Sequence, residues 1–293
     1  MRRRTVFKAL SLAAGSAALA ACQSKETPAP QPTTDTSAAV PAEGPTTGAP
    51  TGTLAVAQRD LSLSRDGRTL ETKLWYPQSG GPYPLILFSH GLTASPNDWT
   101  DLLSRWAEAG FVVAAPAYPK TTTRSPEYDP NDVPNQPADA QYVITQVLAQ
   151  ETDRVDPQRI AAAGHSAGAI TTIGLFSKVR DARLKAGVIM AGRQDFGFKP
   201  FAGPEAPLLF IQGKKDNTVK DAEAWGAYNN VPWPKAFVDV LDGGHLIEGS
   251  AAEVVAVTTT DFWRWSLYGD AEARGRLQSD ATAGNLATWA STI

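Results

Sequence analysis

Residues 159–169 read RIAAAGHSAGA, and the fold turns on them. Arg159 to Ala163 is a short apolar run suited to a buried strand, and Ala167 to Lys178 continues as a small-residue helix. Between them Gly164-His165-Ser166-Ala167-Gly168 fits G-x-S-x-G. A strand running straight into a turn, with a helix leading out, puts the serine on a sharp, strained bend with its hydroxyl exposed. Glycines two residues to either side keep side chains from colliding there. Such a bend presents a nucleophile.

A serine hydroxyl attacks poorly unless a positioned base takes its proton. The chain has three histidines. His165 adjoins the serine, and neighbouring side chains on a tight bend diverge, so it packs beside the site. His90 comes too early in a chain order of Ser…Asp…His. His245, after Gly243-Gly244, comes where that order puts the base. The carboxylate that fixes its tautomer should end the preceding strand. Asp216 does so, beyond Pro207 to Gln212; Asp195 and Asp242 are its rivals, the latter very near His245 in sequence. An oxyanion needs two backbone N–H donors. Ala167, after the serine, and Leu92, after His90-Gly91, are the candidates.

Outward from this stretch, strands alternate with helices, which predicts a mostly parallel sheet covered on both faces. Thr53 to Leu63 and Thr69 to Tyr76 flank Arg65-Asp66-Gly67-Arg68, a hairpin turn signal. Pro84 to Ser89, Phe111 to Ala115, Ala186 to Met190 and Pro207 to Gln212 read as further strands, with Phe237 to Leu241 the last. Helices are expected at 97–109, 136–150 and, closing the chain, 253–268. Residues 119–137 form the longest irregular stretch, and Asp129 to Asp132 reads as a solvated loop rather than a cation site. Trp99, Trp225 and Trp233 are core or acyl-pocket candidates.

These pieces resemble the α/β-hydrolase superfamily, within the dienelactone-hydrolase-like group that includes bacterial cutinase-type polyester hydrolases and platelet-activating-factor acetylhydrolases. The motifs are LILFSHGLTAS (85–95), WAEAGFVVAAP (106–116), DAQYVITQVL (139–148), RIAAAGHSAGA, LLFIQGKKD (208–216) and GGH (243–245), spanning most of residues 74–268. The resemblance implies an α/β-hydrolase fold and a Ser166–His245–Asp216 triad. Leu92 and Ala167 would be the oxyanion donors. The expected reaction is carboxylic ester cleavage through an acyl-enzyme; the alternatives are acyl transfer or amide cleavage by the same triad, or a non-catalytic envelope lipoprotein. Two departures stand out. Dienelactone hydrolases proper use a cysteine where Ser166 stands, and secreted cutinases of the group usually carry disulfides.

Disulfides are impossible within this chain, which has one cysteine, Cys22, among 293 residues. Arg2, Arg3, Arg4 and Lys8 precede a weakly apolar stretch, the pattern of an export signal over 1–21, of twin-arginine or Sec type. Leu19-Ala20-Ala21-Cys22 resembles a bacterial lipobox, making Cys22 a lipid anchor; the alternative is cleavage after Ala18-Leu19-Ala20. Residues 22–52 read as anchor and Pro/Thr-rich tether, too poor in apolar side chains to fold. Residues 53–293 form the catalytic domain. The expected product is an exported cell-envelope lipoprotein, monomeric and touching the membrane through its lipid only. A net charge of −3 argues against a nucleic-acid partner. No zinc-type cluster, phosphate loop or dinucleotide fingerprint occurs, so no cofactor or metal is expected. The expected partner is a small-molecule or polymeric ester.

Overall fold

A computed structural model describes residues 48–293, which form one compact unit. The export signal, Cys22 and the tether up to residue 47 lie outside the described residues. Among the described residues Pro50, inside the segment expected to be tether, packs against the domain. Its carbonyl accepts from Arg264 Nη1 at 2.8 Å, and its ring fills the space left by the missing side chain of Gly110.

The chain opens with the expected hairpin, β1 (Val56–Arg65) and β2 (Arg68–Pro77), closed by Asp66-Gly67 with both residues at positive φ. β3 (Tyr83–Ser89) follows, then α1 (Thr100–Glu108), β4 (Val112–Pro116), α2 (Gln136–Gln150) and β5 (Val155–His165). Next come α3 (Ala167–Leu175), β6 (Leu184–Met190), β7 (Leu208–Gly213), α4 (Asp221–Asn229), β8 (Lys235–Val240) and α5 (Gly249–Tyr268). Among the described residues nine strands, the last being β9 (Ala287–Ser291), order as β1-β2-β4-β3-β5-β6-β7-β8-β9, with β3 to β8 mutually parallel and both edges antiparallel. This is the α/β-hydrolase fold.

β3, β4, β6 and β7 are buried along almost their whole length, because helices cover both faces. Alternate side chains feed two cores. Leu85, Leu87, Ile160 and Phe210 pack under α2, α3 and α4. Ile86, Phe88, Ala163 and Ile211 pack under α1 and α5, where Trp106 meets Trp263 edge-on at 5.7 Å. Trp225 and Trp233 belong to the first core, stacked on Phe237 and set against Phe201 respectively.

The C-terminus departs from expectation. The strand at 235–240 is not the last, nor is α5 the last helix. α6 (Ala271–Ala281) follows, capped by Asp270, and β9 (Ala287–Ser291) pairs antiparallel with β8. Both are weak in sequence: α6 buries only Ala273, Leu277 and Ala281, and β9 is a half-exposed edge. The irregular stretch also holds more order than expected, with a 3₁₀ turn at Pro130–Asn135. Asp132 there is buried, not solvated: Arg68 binds it and Asp139 together, tying the hairpin to the start of α2.

Candidate active site

Ser166 sits where β5 meets α3, at φ 56° and ψ −119°, a backbone region L-residues seldom adopt. Two features hold it there. Its N–H donates to the Met190 carbonyl at 2.9 Å. The flanking glycines let main chains touch: a Cβ on Gly168 would lie 2.0 Å from the Ser89 carbonyl oxygen, and one on Gly164 2.2 Å from that of Gly168. Gly91 is nearly as tight, since a Cβ there would stand 3.1 Å from Ser166 Cβ. The turn after β3 therefore lies directly against the serine.

Asp216 follows β7, and its side chain is fully buried. Oδ1 accepts from the N–H groups of Thr218 (2.7 Å) and Val219 (3.0 Å). Oδ2 accepts from His245 Nδ1 at 2.8 Å and from Gln212 Nε2 at 3.3 Å. Burial alone would raise the pKa of this carboxyl, but the bonds from His245, Thr218 and Val219 outweigh it and hold the group below its ordinary value. An ionised carboxylate only accepts, so Nδ1 carries the proton of the neutral ring. Nε2 is then free to accept from Ser166 Oγ, 2.9 Å away. The loop bearing His245 comes in closely enough that a Cβ on Gly213 would meet the Gly244 carbonyl oxygen at 2.2 Å.

The rival carboxylates are engaged elsewhere. Asp195 pairs with Arg193, and the exposed Asp242 with Lys215. His90 is buried, its Nε2 accepting from the Tyr118 N–H at 3.1 Å. His165 lies beside the site and does something its position in the sequence did not reveal. Its Nε2–H donates to the main-chain carbonyl of His245 at 2.7 Å, its ring wedged between Trp99 and the His245 ring. Burial pushes the imidazoles of His90 and His165 down to about 4, so both stay neutral at ordinary pH.

Ser166 and His245 open onto a cleft of about 850 Å³. Its walls are the loop after β3 with the first turns of α1 on one side, and the start of α5 on the other. Trp99, Leu102, Met190 and Val255 supply apolar surface; of the three candidate tryptophans only Trp99 lines it. Leu92 is in the lining, and no backbone acceptor among the described residues takes its N–H, whereas the next N–H, of Thr93, goes to Thr121. Ala167 is buried behind the serine; as the first residue of α3 its N–H has no partner within the helix.

A chlorophyllase family model matches residues 51–203. The chain belongs to the chlorophyllase family. The chlorophyllase match takes in Gly91, Leu92, Ser166 and Ala167 and ends before Asp216 and His245. Two cutinases of Thermobifida alba are also similar: est2, 28% identical over 176 residues, 59% of this chain and 56% of the relative, and est1, 29% identical over 192 residues, 64% and 62%. The chain thus spans less than two thirds of either relative's length. Among the described residues no cluster suits a metal ion, and no helix is long and apolar enough to cross a membrane.

Proposed function

We propose that this chlorophyllase-family protein is a serine hydrolase of carboxylic esters. The observation that carries the reading is the continuous hydrogen-bond chain from buried Asp216 through His245 to a strained Ser166 at the mouth of a cleft. Ser166 Oγ attacks the ester carbonyl while His245 Nε2 takes its proton. Asp216 stabilises the imidazolium, and the N–H groups of Leu92 and Ala167 receive the oxyanion. The imidazolium then protonates the departing alcohol, leaving an acyl-serine. A water deprotonated by His245 releases the acid and restores the serine. Similarity to cutinases and to the chlorophyllase family supports ester chemistry.

Cys22 supports a further reading, that the exported protein is held at the cell envelope by a lipid on this cysteine. Fluorophosphonate labelling and p-nitrophenyl butyrate hydrolysis test the catalytic assignment. Both should be lost in Ser166→Ala, and retained labelling would remove Ser166 as nucleophile. Cys22→Ser should release the protein from the membrane fraction.

A further inference from the structure

The cleft beside Ser166 is lined by five charged side chains: Asp98, Asp101, Arg105, Glu248 and Glu253. They are not evenly matched. Arg105, on α1, reaches across to α5 and places Nη1 and Nη2 on the two carboxylate oxygens of Glu253. Partly exposed on both sides, this pair adds little to stability. Its larger effect is on the cleft, since the one cation in the described lining is already taken. Asp98 accepts only from Ser95, and Asp101 and Glu248 make no ion pair among the described residues. Glu248 stands at the N-cap of α5 without a capping bond from its side chain. The lining thus carries three uncompensated negative charges above apolar walls.

We propose that this cleft takes uncharged and cationic esters and rejects anionic ones, because Glu253 sequesters Arg105 while Asp98, Asp101 and Glu248 meet an incoming charge unpaired. The proposal rests on the reading that Ser166 cleaves esters. A carboxylate on the substrate about 10 Å from three like charges, in a near-aqueous medium, should lose about tenfold in kcat/KM against an uncharged ester at low salt. The Debye length falls from about 30 Å at 0.01 M to about 3 Å at 1 M, so the discrimination should all but vanish at the higher ionic strength.

Three thioesters sharing a butyryl group provide the probe: butyrylthiocholine, its uncharged tert-butyl isostere, and S-butyryl-mercaptopropionate, followed by thiol release. At low salt the expected order of kcat/KM is cationic, uncharged, anionic, converging at high salt. The anionic-to-uncharged ratio should rise severalfold in Glu253→Gln, which frees Arg105, and fall in Arg105→Gln. Equal rates for the three esters at low salt, or a ratio that Glu253→Gln does not raise, would overturn the charge selection and leave ester hydrolysis standing. Failure to cleave even the uncharged thioester or p-nitrophenyl butyrate would overturn the underlying reading and this proposal with it.

Discussion

Replacing Asp216 by asparagine keeps the shape of the site and reverses one hydrogen bond. The side-chain amide can turn in two ways. With its oxygen at the Oδ2 position, its NH2 group would face two backbone donors, the N–H groups of Thr218 and Val219 at 2.7 and 3.0 Å. With its oxygen at Oδ1 those bonds survive, and the NH2 points at His245 Nδ1, 2.8 Å away, with only the long contact to Gln212 made worse. The second arrangement wins, and it forces Nδ1 to accept. The ring proton then moves to Nε2, which faces Ser166 Oγ at 2.9 Å as a donor and can no longer take its proton. In a Ser-His-Asp relay this inversion costs about 10⁴-fold in kcat, or about 5.5 kcal/mol of transition-state stabilisation. The assay is p-nitrophenyl butyrate turnover near neutral pH, with thermal unfolding as the control for folding. A fold of normal stability whose kcat falls less than about tenfold would refute the proposed relay.

Arg68→Met should destabilise the fold by about 3–5 kcal/mol in urea unfolding, because of the two buried carboxylates it leaves Asp132 with no cation, only the Asn135 amide, and Asp139 with Arg65 alone. The buried imidazoles give the pH dependence. With folded values of about 4 against about 6.5 unfolded, His90 and His165 each bind a proton more readily in the unfolded chain. Their contribution is therefore complete above about pH 6.5 and drains away by about 3 kcal/mol each towards pH 4, a slope that denaturant midpoints at graded pH will show.

The strand-turn-helix at 159–169 was legible because its pattern carries both packing and strain: an apolar run can only be a covered strand, and glycines two residues from a serine mark a crowded bend. That Asp216 and His245 would meet Ser166 followed from a different cue, that each lies in the loop after a strand in a fixed chain order. What escaped had little burial to advertise it. In α6 three small or apolar positions carry the whole contact, and β9 is a five-residue edge. Asp132 looked like any loop aspartate because its partner, Arg68, is 64 residues away. The anchoring of the His245 carbonyl by His165 crosses 80 residues, and the pairing of Arg105 with Glu253 crosses 148. Contacts of that span leave no local pattern to read.

The same separation has a kinetic consequence. Ser166 and His245 lie 79 residues apart, and Asp216 precedes His245 by 29. Each occupies the end of a different strand, or the loop beyond it. None of the three can find its partner until β5, β7 and β8 have docked in register. Loop closure of this kind is slow compared with helix formation. During refolding, helical signal should therefore return first, and turnover should return only when the parallel half of the sheet is complete.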